Sequence, residues 1–156
     1  MPIRFAEPKD LPALVELGAR MHAMTRFRSQ PFNAQKVAQA FADLMNKGQQ
    51  RYVFLVAEDS QGKIAGGLIG LVEQQIFSDE WTASVMHYDV LPEARMGGYA
   101  VRLLKAFEQW AKNRKVIEIS LGVNSGVDLD TTGRFVQKMG YQKVGENFVK
   151  PSDPHL

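Results

Sequence analysis

Residues 88–110 read YDVLPEARMGGYAVRLLKAFEQW. An extended apolar segment ends at Val90, Pro92 stops it, Arg95-Met96-Gly97-Gly98-Tyr99-Ala100 turns the corner, and a helix follows at once. Gly97 and Gly98 carry no Cβ, so the backbone can take unusual dihedrals and let a bulky group approach its N–H donors. The first turn of the helix adds unpaired donors and a partial positive charge, which together make a place for a phosphate. Ala100, Leu103, Leu104, Phe107 and Ala111 recur at spacings of three and four, an apolar stripe that anchors the helix in a core. Lys112, Arg114 and Lys115 sit at its far end, where cations suit the macrodipole. Strand, glycine corner and anchored helix read together as an anion-binding element.

Outward from this stretch the chain alternates between helical and extended periodicity. A short strand over Met1–Phe5, at an edge of the sheet, precedes a helix that Asp10 is expected to cap. Its apolar face is Leu11, Leu14, Val15, Leu17 and Met21, and it runs out near Met24–Phe27. Asn33 caps a second helix carrying Val37, Phe41, Leu44 and Met45, which Gly48 ends. Tyr52–Ala57 and Ile64–Val72 form a hairpin about the turn 59–63; Gly66 and Gly67 mark either a bulge or a close approach to the backbone. Thr82–Val90 is the next strand. Val116–Val123 follows the crossover helix and so should lie parallel to it. A helix over Thr131–Met139 and a final strand over Tyr141–Val149 complete the order. These elements predict one domain, residues 1–156, of layered α/β (α+β) class: a mixed, mostly antiparallel sheet flanked by helices.

Composition narrows the function. Nineteen basic residues against seventeen acidic ones leave a net charge of +2, scattered along the chain, so no nucleic-acid footprint is expected. Without cysteine there is no disulfide framework and no thiolate metal site, and the three histidines fall at no ligand spacing, so no metal is expected. No leader pattern and no membrane-length apolar run is present, and a soluble, cytoplasmic protein is the expectation.

Two common phosphate motifs are absent. A dinucleotide fold would place G-x-G-x-x-G after its first strand, and a P-loop would need Gly-Lys-Ser or Gly-Lys-Thr. What the sequence does contain is V-x-P-x-x-R-x-x-G-x-A at Val90, Pro92, Arg95, Gly98 and Ala100, which resembles the pyrophosphate-binding segment of the GNAT superfamily of acetyl-CoA-dependent N-acyltransferases. Phe135-Val136-Gln137-Lys138-Met139-Gly140-Tyr141 is similar to a second segment of that family, and Ile3-Arg4-Phe5-Ala6 before Asp10 to its opening strand, so the likeness spans nearly the whole chain.

The resemblance implies acetyl transfer from acetyl-CoA to an amine, on a small molecule or a protein, by direct attack with both held in one cleft. It also allows a homodimer. The pantetheine arm would lie along Tyr88, Asp89 and Val90. The pyrophosphate would sit over Arg95 and the backbone from Met96 through Gly97, Gly98, Tyr99 and Ala100 to Val101. The proton-handling positions depart from the pattern: where many members have a general-acid tyrosine this chain has Val136, and where an acid often stands on the fourth strand it has Ser84. The family's asparagine position is Leu129, with Asn124 available in the same loop. His87 is the candidate base, set against a plain sheet histidine, and Tyr88 and Tyr141 are candidate phenols. His22, Arg26 and Arg28 could face the acceptor or simply be a solvated helix end. These departures motivate a second expectation, a catalytically weak acyl-CoA-binding module of the same fold.

Overall fold

The structure, a computed structural model, describes residues 2–48, 50–126 and 128–152. The chain divides into two compact units, residues 1–21 with 33–122, and residues 22–32 with 123–156. The first unit contains β1 (Ile3–Phe5), most of α1 (Leu11–Ala23), α2 (Ala34–Asn46), β2 (Tyr52–Glu58), β3 (Ile64–Gln74), β4 (Trp81–Val90), α3 (Tyr99–Lys112) and β5 (Glu118–Leu121). Its five strands lie in chain order, antiparallel throughout except that β5 runs parallel to β4, as a helical crossover through α3 requires. This is the mixed sheet with flanking helices that the sequence predicts.

Strand periodicity assigns the two faces. Phe54, Val56 and Ile69 pack with Leu14, Leu17 and Met21 of α1, and Phe41, Leu44 and Met45 of α2 close that side. On the opposite face, Phe107 of α3 lies over Gly70, where an added Cβ would come within 2.1 Å of its ring. Gly70 is therefore glycine because the helix ring occupies the place of a side chain. Two register shifts interrupt the ladders. Ala57 faces Gly66 while Glu58 faces Ile64, leaving Ala65 extra, so a bulge lies next to Gly66, and at Gly66 itself the backbone is also closely approached: a Cβ there would meet the Asp89 carbonyl oxygen at 2.6 Å. Ile69 faces His87 while Gly70 faces Val85, leaving Met86 extra on β4.

Two expectations are corrected. Asp10 does not cap α1. It ends a single 3-10 turn, Pro8–Asp10, whose N-cap is Glu7, and its buried carboxylate accepts from the Glu7 N–H at 2.8 Å and from both guanidinium nitrogens of Arg4 at 2.7 and 2.8 Å. Arg4 also bonds Glu58 on β2 at 2.7 Å, so the acid ties the entry of α1 to the sheet edge. The second correction concerns the final strand: residues 141–150 form no strand, and Val144 and Phe148 are exposed. Gly145 interrupts the run, and apolar periodicity alone cannot provide the ladder partner a strand requires.

The second unit contains α4 (Leu129–Lys138), followed by Gly140 at φ +95°, and a 3-10 turn, Arg26–Ser29, whose start is capped by the Thr25 hydroxyl accepting from the Phe27 N–H. Arg26 donates to the Asn124 carbonyl and to the Asn124 Oδ1, both at 2.9 Å, while its own N–H donates to the Ser125 carbonyl.

Candidate active site

The strand at the centre of the site is longer than its neighbour. The β4–β5 ladder runs from Thr82 with Glu118 to Val85 with Leu121 and stops, while β4 continues to Val90. The extra residue Met86 falls at the point where the ladder ends, and bulges bend and twist a strand locally. Beyond it, among the described residues, no strand lies on the β5 side of β4. An extended chain with amide groups could add there by backbone hydrogen bonding, as peptides do at sheet edges.

At the end of β4 the chain passes through Leu91 and a 3-10 turn, Pro92–Gly97, into α3. Two side-chain links hold this corner in place. Arg20 of α1 grips Glu93 with two bonds of 2.8 and 2.9 Å, and this pairing holds the Glu93 carboxyl at about 2. Tyr88 of β4 donates its hydroxyl proton to the carbonyl of Ala100, in the first turn of α3. Burial, with Glu108 adding in the same direction, pushes the Tyr88 phenol well above its ordinary value. Tyr88 thus acts as a clamp between strand and helix and is a poor proton donor to a leaving group.

The two loop glycines answer different needs. Gly98, the N-cap of α3, sits at φ +75° and ψ +9°, the left-handed region. Gly97 leaves space for the ring of Tyr99, which a Cβ there would meet at 2.5 Å. Arg95 and Met96 are exposed, and α3 starts with no side-chain cap, so its first-turn N–H groups at Tyr99, Ala100 and Val101 point out of an uncapped helix end. Sequence reasoning missed Arg102, whose guanidinium folds back to donate to the Gly97 carbonyl and lies over the Tyr99 ring at 5.2 Å. Its signal was the i+4 spacing from Gly98, which puts it one turn above the corner.

Register also settles which way His87 points. His87 pairs with Ile69 and Asp89 with Gly67, so both lie on the face covered by α1 and α2, while Tyr88 faces α3. His87 is exposed and Asp89 half-buried. Both line a small compartment of about 30 Å³ together with Leu14, Leu17, Phe41 and Phe54. Burial pushes the Asp89 carboxyl above the ordinary carboxylate range, and the charges of His87 and Arg95 pull it part of the way back. Period-two alternation would have put the Asp89 side chain beside His87, although the sequence reading used only its backbone.

Residues 19–141 match the acetyltransferase (GNAT) family. The chain belongs to that family. Solved structures share the GNAT fold with it over nearly their whole length. Glucosamine-6-phosphate N-acetyltransferase from Arabidopsis thaliana has a TM-score of 0.75 at 17% identity, with 97% of each chain covered. An aminoglycoside antibiotic 6'-N-acetyltransferase from Acinetobacter baumannii has 0.73 at 18%, again with 97% of each. A transcriptional regulator from Bacillus halodurans C-125 has 0.78 at 19%, covering 96% of this chain and 97% of that one. No curated protein matches the sequence significantly. At these identities the structures establish the GNAT fold, and the activity has to be argued from the site.

The Ser84 hydroxyl lies 3.0 Å from that of Ser120, so these two hydroxyls bond each other across β4 and β5. Val136 is on α4 of the second unit, and an isopropyl group has no proton to give. Asn124 belongs to the second unit, where its Oδ1 and carbonyl both accept from Arg26. There too the His22 ring lies 5.3 Å from that of Phe32, and Arg28 donates to the Thr25 carbonyl. Among the described residues no cluster of three or more His, Asp or Glu is placed to hold a metal, and no helix is long and apolar enough to cross a membrane.

Proposed function

We propose that the protein is an N-acetyltransferase that moves the acetyl group of acetyl-CoA to an amine by direct attack in a ternary complex. The observation that carries this reading is that β4 outruns β5 and then meets the glycine-led start of α3. An open strand side suits an amide-bearing arm, and the uncapped helix end suits the pyrophosphate that follows it in coenzyme A. The thioester supplies an activated acyl carbon; the residues supply position. Val90, Asp89 and Tyr88 offer the strand backbone, and Arg95 through Val101 offer the loop. His87, on the α1 and α2 face, takes the proton that the amine loses as its nitrogen bonds to the acyl carbon. The carbon–sulfur bond breaks, and the coenzyme thiolate takes its proton from water, since neither Val136 nor Tyr88 can supply one.

Acetyl-CoA at a hundred times its Kd should stabilise the fold by about 2.7 kcal/mol, a rise in Tm of roughly 5–10 °C for a chain of this size. Calorimetry with no heat and no rise in Tm at millimolar acetyl-CoA would remove the proposal. Replacing His87 by alanine should cut turnover about a hundredfold while leaving acetyl-CoA affinity within twofold. Val136 and the Ser84–Ser120 pair favour one alternative, a module that binds acyl-CoA without transferring the acyl group. Any amine acetylated well above the uncatalysed rate excludes it.

A further inference from the structure

Two acids of the first unit, Asp10 buried and Asp89 half-buried, are treated in opposite ways. Asp10 is fully partnered, by Arg4 twice and by the Glu7 N–H. Among the described residues the Asp89 side chain has neither a hydrogen bond nor an ion pair, and it lines its compartment with Leu14, Leu17, Phe41, Phe54 and the His87 ring. Ionising a carboxylate half-buried against apolar side chains is unfavourable, and the charges of His87 and Arg95 offset this only in part. The register partner of Asp89 is Gly67, where a Cβ would lie 3.6 Å from the Phe54 ring and 3.7 Å from Leu14, in ordinary contact. The small size of Gly67 therefore keeps the floor of the compartment open beside the carboxylate.

We propose that Asp89 is the specificity-determining group on the acceptor side: its carboxylate receives the ammonium of a primary alkyl amine whose first carbons lie against Leu14, Phe41 and Phe54. This rests on the acetyltransferase reading and narrows it to small cationic amines with an apolar stem, against amino acids, acidic peptides and phosphorylated amino sugars. The described lining residues include no lysine or arginine to welcome an anion, and about 30 Å³ holds little more than one methylene, so the rest of the acceptor extends through the open side. The amine arrives as its ammonium ion beside Asp89. That first proton passes to water before attack, and His87, two residues away on the same face, is placed to receive the second as the nitrogen bonds to the acyl carbon.

Direct binding to the full chain, in the absence of acetyl-CoA, tests this through the chemical shifts of the His87 imidazole. n-Butylamine should bind at least about tenfold more tightly than n-butanol, which has the same shape without charge, and also more tightly than 4-aminobutyrate, which adds a carboxylate. Asp89→Asn should erase the preference for the amine over the alcohol and, because it removes a partly desolvated charge that makes no hydrogen bond or ion pair among the described residues, should raise Tm or leave it unchanged. Gly67→Ala should weaken amine and alcohol alike. Equal binding of amine and alcohol to the native protein, or a preference surviving in Asp89→Asn, overturns the assignment, as does a fall in Tm in Asp89→Asn, which would mark the acid as structural. A protein that prefers butylamine yet acetylates nothing refutes the proposed activity and keeps Asp89; one that transfers acetyl groups without this preference does the reverse.

Discussion

Substitutions at Gly98 separate backbone conformation from bulk as the property needed by the corner proposed to hold the coenzyme's phosphates. Its φ of +75° lies where residues with a Cβ pay roughly 1–2 kcal/mol, yet the space around it is open: an added Cβ would meet only the Arg102 guanidinium, at 3.7–3.8 Å. Crowding is therefore excluded as the main cost of Gly98→Ala, and strain remains. Asparagine tolerates the left-handed region better than alanine, and valine, branched at Cβ, tolerates it least. The expected order of damage is Asn, then Ala, then Val, although asparagine is larger than alanine. For alanine the 1–2 kcal/mol divides between two readouts. If the free loop keeps its conformation, Tm falls by roughly 2–8 °C; if the loop relaxes, acetyl-CoA affinity falls by about five- to thirtyfold. Isothermal calorimetry and thermal unfolding on the same three proteins give both parts. An order that follows side-chain volume, or a Gly98→Ala protein unchanged in both measurements, would refute the argument.

Three further outcomes follow from the packing. Tyr88→Phe removes one hydrogen bond to the Ala100 carbonyl, worth about 1 kcal/mol, so KM for acetyl-CoA should rise about fivefold with kcat nearly constant; a hundredfold loss of kcat would instead mark the phenol as the proton donor. Gly70→Ala drives a methyl group into the buried Phe107 ring and should cost about 1–3 kcal/mol in denaturant unfolding, with partial rescue by Phe107→Leu; a neutral Gly70→Ala would place the ring elsewhere. The hydrogen bonds from Arg4 hold the Asp10 carboxyl below its ordinary value near 3.9, so the stability they confer is present above that pH and is lost as pH falls through the lower folded value; Asp10→Ala should cost about 3 kcal/mol at pH 7 and flatten this acid limb of the stability curve.

What the sequence disclosed followed from residues whose local role is nearly independent of context. Gly98 and Pro92 placed the corner correctly, because a positive φ and a missing N–H are properties of the residue itself. Apolar spacing placed α3 and the parallel β5, because a helix crossover leaves few alternatives. The strand expected over 141–149 failed because alternation describes one face of a strand and says nothing about whether a ladder partner exists. The extra residue Met86 was equally hidden, since a bulge is set by the pairing of two distant segments. That bulge precedes His87 and Asp89, so their joint orientation became legible only from the register with Ile69 and Gly67.

The same register bears on how the proposed site would hold a coenzyme and move a proton with different groups. Holding a phosphate draws on backbone N–H groups at an uncapped helix end, which any side chains permit provided Gly98 can adopt its dihedral. Proton transfer draws on a titratable group at one place on one face, and it can relocate to any side chain that reaches the same space. Ser84 is engaged with Ser120, and Tyr88 is engaged with Ala100 on the α3 face. In the first unit this leaves His87 and Asp89 as the titratable pair on the α1 and α2 face of β4, one exposed and one whose carboxyl burial pushes upward. Neighbouring groups whose surroundings differ in this way are suited to divide the work of holding a cation and accepting its proton.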